Sequence, residues 1–377
     1  MRQKAGLLLP DRQIGLSAHD YQQAIAAREV VLTRAHRNAD AETVASRWLN
    51  RLTNLLDGLP DTGGKAALLD VRARGNQWLA LAAALEDPGD MVDPAPRPAP
   101  RPPVDHRPKE LYVTKIATLI RDPYAIYARY ILRLYPLNPL HQPPDARMRG
   151  QTLHTVLETF VNNRPAQETM AEARARLLQT AHYVLETDVP FPAARALWLA
   201  RLARAADTFL AFEMADGGAP LLVEDVGATT LHPLDFTLKA RPDRIDLLPD
   251  GRLNIIDYKT GAPPGEAQQK KYDNQLLLQA AMAQRGGFGP DLPTDVARIT
   301  YIGLGTNPKI VPTDITADLT GDIWERLHQL IGKYLNRAQG YPSRRAMFLE
   351  RDAGDYDHLA RYGEWQQSDW PLPEDVG

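Results

Sequence analysis

The sequence predicts a mixed α/β (α+β) domain with a central sheet flanked by helices. Residues 114–135, rich in Tyr and Arg, 148–163, with apolar side chains at helical spacing, and 166–214, where Ala, Leu and Arg dominate, read as helical. The period then changes: Phe236, Leu238 and Ala240 alternate with polar residues as in a strand, and a Pro249-Asp250-Gly251 turn leads into a second strand over 253–259. A helix at about 266–285, a strand at 297–303 and a helix at 321–338 follow. Helices, hairpin, helix, strand, helix is the order of a mixed α/β layer structure.

Within the helical part, Leu153, Val156, Leu157 and Phe160 fall at i, i+3, i+4 and i+7 and form one apolar face. The clearest boundary is DPAPRPAPRPPVDHRP at 93–108, where proline density opposes helix and sheet and favours an extended linker. Three parts result: 1–92, a linker at 93–110, and 111–377. The first part is small, with a helical stretch at 39–58 and a β-like run from Glu29 to Thr33.

Composition excludes several classes. The chain has 377 residues and a net charge of −3, so any grip on nucleic acid must be local. It has no cysteine, which removes disulfides, cysteine-ligated zinc, iron–sulfur clusters and thiol catalysis within this chain. No apolar run reaches membrane-spanning length, and the N-terminal apolar run is too short for a signal peptide. A soluble, cytoplasmic protein is expected. There is no G-x-x-x-x-G-K-[ST] loop, so ATP hydrolysis by this chain is not expected.

The chemistry concentrates in RPDRIDLLPDGRLNIIDYKTG at 241–261. Metal-assisted hydrolysis of a phosphodiester needs converging carboxylates and a nearby cation. Asp257 and Lys259 are two apart on one strand and share a face. The preceding strand offers Asp243 and Asp246. A two-residue Asp250-Gly251 loop would put Asp246 on the Asp257 face. A Pro249-Asp250-Gly251 loop instead pairs Leu247 with Leu253, Ile245 with Ile255 and Asp243 with Asp257, with Gly251 left-handed. The longer loop puts Asp243, Ile245, Leu247, Leu253, Ile255, Asp257 and Lys259 on one face. It leaves Arg244, Asp246, Leu248, Arg252, Asn254, Ile256 and Tyr258 on the other, a better segregation of apolar from polar residues. Asp243 is therefore favoured as the ligand, and Asp246 as a structural or DNA-side residue.

Two helical features add to this set. His154 and Glu158 are i, i+4 neighbours beside the apolar stripe, where the imidazole could be a further metal ligand. Gln275, opening the apolar helix after the DYKTG strand, is placed to hold a site carboxylate, a water or a phosphate.

The ordered set Gly150 to His154, Pro242 to Asp246, Asp257 to Gly261 and Gln275-Leu276 resembles the RecB-type nuclease family, of the PD-(D/E)xK class, over about 111–340. The resemblance implies a restriction-endonuclease-like core, His154, Asp243 and Asp257 as ligands of Mg²⁺ or Mn²⁺, Lys259 as the catalytic lysine and Gln275 as a supporting site residue. The stretches at 113–134 and 356–365 resemble the C-terminal region of AddB, the second subunit of AddAB helicase–nucleases, in its alphaproteobacterial type. IGLSAHDY at 14–21 and VVLTRA at 30–35 are similar to the last helicase-like motifs of that family, making 1–92 a helicase-like remnant. This implies DNA as substrate, cleavage of the 5′-ended strand in double-strand break repair, and an AddA-type helicase–nuclease subunit as partner. Gln279 stands where the family often has Tyr. Some relatives carry a cysteine-ligated iron–sulfur cluster, and the aromatic segment around Tyr356, Tyr362 and Trp365 is expected to brace the domain by packing instead.

Candidate DNA contacts are Arg147, Arg149, Lys270 and Lys271, close in sequence to the metal motifs. The 113–134 helix adds Lys115, Arg121, Arg129 and Arg133 with Tyr124, Tyr127 and Tyr130 for phosphate contact and base stacking. Two other readings remain open at this level: a stand-alone phage-type exonuclease, and a non-catalytic module that binds DNA or docks a partner.

Overall fold

The computed structural model describes residues 9–137, 139–141, 143–215, 218–265, 268–269, 274–347 and 353–377. Internal contacts divide the chain between Asp93 and Pro94. The first unit holds α1 (Pro10–Ile25), α2 (Arg47–Asp57) and α3 (Gly64–Glu86). Of its described residues only Gly64 and Leu68 are buried. The β-like run from Glu29 to Thr33 forms no strand and is exposed. Strand propensity alone does not suffice where no neighbouring strand supplies hydrogen bonds.

The second unit runs through β1 (Pro98–Arg101), β2 (Glu110–Tyr112), α4 (Val113–Arg121) and α5 (Pro123–Ile126), the last continuing into a wide turn over Tyr127–Ile131. The single helix expected at 114–135 is thus broken. Pro123 cannot donate into the preceding turn, and it forces Asp122 out of helical geometry (ψ 78°). Then come α6 (Ala146–Asn162), α7 (Met170–Asp188) and α8 (Pro192–Ala215). The strands β3 (Ala219–Val223), β4 (Gly227–Leu231), β5 (Phe236–Ala240), β6 (Arg244–Leu247) and β7 (Leu253–Lys259) follow. The chain closes with α9 (Gln275–Ala283), β8 (Val296–Gly303), β9 (Lys309–Asp314), α10 (Ala317–Leu335) and β10 (Leu372–Asp375).

The main sheet has the order β3-β6-β7-β8-β9 and is mixed, with β7 and β8 parallel and the other pairs antiparallel. A second sheet has the order β2-β5-β4. The hairpin takes the register of the longer loop: Ile245 faces Ile255 and Leu247 faces Leu253. Gly251 sits at φ 82°, a conformation that costs a side-chain-bearing residue about 1 kcal/mol or more.

Both faces of this sheet are buried, and here the sequence expectation needs correction. Ile245, Leu253 and Ile255 pack into one core with α4, α9 and α10. Ile256, Tyr258, Ile302 and Leu304 pack into a second core with α6, α7 and α8. The face read as polar therefore lies under the helical layer. Its charges survive burial because they pair. Arg244 donates to both Asp246 carboxylate oxygens (2.5 and 2.6 Å) and to Glu213 of α8 (2.6 Å). Asn254 accepts from Thr300 at 2.8 Å. Asp246 is thus a structural residue, fully enclosed.

The proline-rich stretch is also not a free linker. Pro98–Arg101 pairs in parallel with Leu372–Asp375, and Ala99 is buried. Proline lacks an N–H but keeps its carbonyl. Pro98 and Pro100 accept from Ser343 and Tyr341, so the segment works as an acceptor edge. Arg97 and Arg107, both buried, donate to backbone carbonyls at Ser343 and Arg344 and at Tyr334 and Asn336 respectively. The aromatic C-terminal segment packs as expected: Tyr356 and Trp365 are buried in the first core, and the Arg344 guanidinium lies 3.9 Å from the Tyr362 ring centroid.

Replacing Arg244 with Met leaves two buried carboxylates without their cation. Such a change costs about 3–5 kcal/mol, and urea or thermal unfolding of Arg244→Met should show a loss of that size. A Glu213→Leu/Arg244→Met/Asp246→Leu triple variant should recover most of it.

Candidate active site

The site forms where β5 passes into β6. Pro242 ends β5, because it cannot donate to the ladder, and Asp243 stands at the crossing between the two sheets. Its Oδ2 accepts from the Tyr258 backbone N–H at 2.7 Å, which anchors the carboxylate to β7. Asp257 and Lys259 project from β7 on one face, with Lys259 Nζ 2.7 Å from Asp257 Oδ2. Gln275, the first residue of α9, donates to Asp257 Oδ1 at 2.9 Å. Both Asp257 oxygens are thereby held.

From the opposite layer α6 brings His154. Its Nδ1 lies 3.4 Å from Asp243 Oδ1 and 3.6 Å from Glu224 Oε1, and its Nε2 lies 3.1 Å from the Tyr258 carbonyl oxygen. With Nε2–H given to the carbonyl, Nδ1 faces the two carboxylates and could ligate a cation that displaces its proton.

Glu224 was missed in the sequence. Its position follows from tertiary pairing: β3 runs antiparallel to β6 with Val223 opposite Arg244, and Glu224 N–H donates to the Asp243 carbonyl. Its φ of 57° is left-handed, a strained conformation for a side-chain-bearing residue and one that concentrates at functional sites. Arg241 Nε donates to the Glu224 carbonyl (2.6 Å) and lies 3.0 Å from Oε2. The one available signal was an acidic residue closing the apolar run Leu221-Leu222-Val223. That carries no information until the strand's partner is known.

The electrostatics are those of crowded anions. Burial and then the Asp243 charge push the Asp257 carboxyl above its usual range, against the pull of Lys259 and His154. For His154, burial disfavours the charged ring, but Asp243 and Glu224 outweigh it and push the imidazole up to about 10. His154, Glu224 and Asp243 each offer a donor atom within 4.8 Å of the others. One imidazole nitrogen and hard carboxylate oxygens form a donor set suited to a divalent cation. Asp257, from the sequence-derived set, stands close enough to couple with Asp243 and His154 but is turned toward Lys259 and Gln275.

Of the other candidates, Arg147 is exposed at the start of α6, and Arg149 reaches the Thr260 carbonyl at 3.3 Å. Lys115 lies near Arg129 and Arg147, whose charges add to burial in lowering its pKa. Arg121 is half-buried, and its carbonyl accepts from Ala346. Tyr124 and Tyr127 do not form a stacking surface: both rings are buried in the core, and Tyr124 OH donates to the Leu359 carbonyl. The break at Pro123 turns them inward. Lys270 and Lys271 lie outside the described residues. Gln279 is fully buried one turn after Gln275, and neither amide atom has a partner among the described residues.

An uncharacterized protein of Rickettsia bellii is 28% identical over 186 residues, covering 48% of this chain and 22% of its own length. A second, from Rickettsia typhi, is 28% identical over 189 residues with the same coverage. An ATP-dependent helicase/deoxyribonuclease subunit of Streptococcus mutans is 31% identical over 188 residues, covering 48% of this chain and 16% of that protein. The chain thus spans about a fifth of the length of these relatives. The family model of the PD-(D/E)XK nuclease superfamily matches residues 110–354, a span that holds every residue of the site, and the chain belongs to that superfamily.

Proposed function

We propose that this chain is a Mg²⁺- or Mn²⁺-dependent deoxyribonuclease, an exonuclease that hydrolyses phosphodiester bonds of a single DNA strand. The observation that carries this reading is the convergence of Asp243, Asp257, Glu224 and His154 beside the Lys259 ammonium. Asp243, Asp257 and His154, joined by Glu224, would hold the cation. When bound, it polarises a phosphoryl oxygen and lowers the pKa of a water.

The chain's own residues supply the rest. Lys259 carries the positive charge closest to Asp257 and stabilises negative charge developing on the phosphoryl group or orients the water. Gln275 keeps the Asp257 carboxylate from rotating away. The Tyr258 carbonyl orients the His154 ring. Lys115, Arg129 and Arg147 lie near one another, with Asp355 among them, and are candidates for contact with the phosphate backbone. Among the described residues no helix is long and apolar enough to cross a membrane. A DNA substrate would place the chain's work in the cytoplasm.

The streptococcal relatives named as helicase/deoxyribonuclease subunits support a finer reading. The chain would act in an AddAB-type assembly with an AddA-type subunit, on the 5′-ended strand during double-strand break repair.

Cleavage of single-stranded DNA should require Mg²⁺ or Mn²⁺ and stop with EDTA. Asp257→Ala should abolish it, and Lys259→Ala should lower the rate by about 10²–10³-fold, with unchanged circular dichroism. Undiminished cleavage by purified Asp257→Ala protein would sink the assignment. In calorimetric titration with Mn²⁺, Asp243→Asn should lose binding and Glu224→Gln should weaken it by about 10–100-fold. Wild-type affinity in Glu224→Gln would leave Glu224 as a partner of Arg241 and His154 and not a ligand.

A further inference from the structure

On the helical side of β7 lies a cleft of about 370 Å³ that the chemistry above does not use. Its walls come from α6, α7, α8 and the loops that follow β7 and β8. The size falls in the range of small-ligand pockets. Leu153 and Leu202 are among its apolar lining, and Trp198 is the one aromatic among the described residues that line it.

The cleft is tied to the reacting end of β7. Thr260, which follows Lys259 directly, lines it, and Arg149 from α6 donates to the Thr260 carbonyl at 3.3 Å. On the other loop, Leu304 N–H donates to the Lys259 carbonyl at 2.7 Å. These bonds join the cleft to the backbone on either side of Lys259, while the Lys259 side chain itself, on the opposite face of β7 from Tyr258, lines a separate cavity with Gln275 and Tyr301.

The charges are also telling. Arg149 and Arg201 both line the cleft, yet neither forms an ion pair with a described residue, and Arg149 Nε is buried without a hydrogen-bond partner. Two uncompensated guanidinium groups beside an apolar, tryptophan-walled cleft, in a chain of net charge −3, match one ligand chemistry well. That chemistry is a planar heterocycle on a sugar with flanking phosphates. Asn307 at the same wall offers an amide to a base edge.

We infer that this cleft is a nucleoside subsite. It takes the base of a nucleotide of the bound strand, stacked on Trp198, with Arg149 and Arg201 on the flanking phosphates. This rests on the reading that the site cleaves a nucleic-acid strand. A base can enter only when it is out of a duplex stack, so the subsite would favour single strands over duplex.

The test is binding of fluorescein-labelled dT₁₂ in EDTA, where nothing is cut, so its outcome does not depend on nuclease activity. Trp198→Ala should weaken binding by about tenfold, in the range of one base–aromatic stack, while Trp198→Phe keeps most of it. An abasic residue walked along the strand should weaken the wild type at one position and leave Trp198→Ala unaffected there. Duplex dT₁₂·dA₁₂ should not respond to Trp198→Ala. As a second variant, Arg201→Met should lower the affinity and reduce the salt dependence by about one counterion. Wild-type dT₁₂ affinity in both Trp198→Ala and Arg201→Met overturns the subsite. So does a Trp198→Ala penalty that persists on the abasic strand. Displacement of dT₁₂ from the wild type by millimolar dTMP, with no Trp198 effect on dT₁₂ itself, would mean a site for free nucleotide and overturn the strand subsite.

Discussion

The pairing of β6 with β7 sets the position of nearly every group at the site. Both strands are enclosed on both faces, so each side chain has a fixed destination: the first core, the helical layer or the active site. A one-residue slip would send Arg244 toward the carboxylates of the candidate site and Asp243 into the helical core. Two devices oppose such a slip. Gly251 accommodates the left-handed turn of the loop, and the Arg244 guanidinium, clamped between Asp246 on its own strand and Glu213 on α8, ties the hairpin to the helix above it. The ionic network contributes register as well as stability, because it is satisfied in only one alignment.

The active site is built against folding stability. Asp243, Asp257 and Glu224 converge in a poorly hydrated place, and burial alone disfavours the charged form of Asp257. Lys259, His154 and Arg241 offset part of the repulsion. The hydrogen bonds from Tyr258 N–H to Asp243 and from Gln275 to Asp257 keep the carboxylates from turning to solvent. A divalent cation is the natural relief for this arrangement, since it favours the ionised form of each carboxylate at once.

The periphery shows how a chain without cysteine closes a long domain. The proline-rich strand and the C-terminal strand meet in a parallel pair, and Arg97, Arg107 and Arg344 are buried against backbone carbonyls, Asp357 and aromatic rings. A planar guanidinium can satisfy several carbonyls together while its face packs on Trp365 or Tyr362. Segments distant in sequence are held this way without a covalent bridge.

Local pattern alone determined the hairpin, its three-residue loop, the choice of Asp243 over Asp246 and the shared face of Asp257 and Lys259, because strand periodicity and turn chemistry act over a few residues. The helix at Ala146–Asn162 with its apolar stripe and the helical content of 170–215 were legible for the same reason, whereas Pro10–Ile25 and Gly64–Glu86 were not read as helices. The motif spacing also led to Gln275 and His154 as candidates. The tertiary structure alone decided that the second hairpin face is buried, that Tyr124 and Tyr127 turn inward, that the prolines serve as an acceptor edge and that Glu224 stands beside His154. Each of these depends on a partner tens to hundreds of residues away: Arg244 on Glu213, Pro98 on Ser343, β3 on β6. Asp243, Asp257 and Lys259 could be read from one short stretch because the hairpin that carries them is local. The crowded environment around them is not local, and it exists only once helices and sheets from the rest of the domain have closed over it.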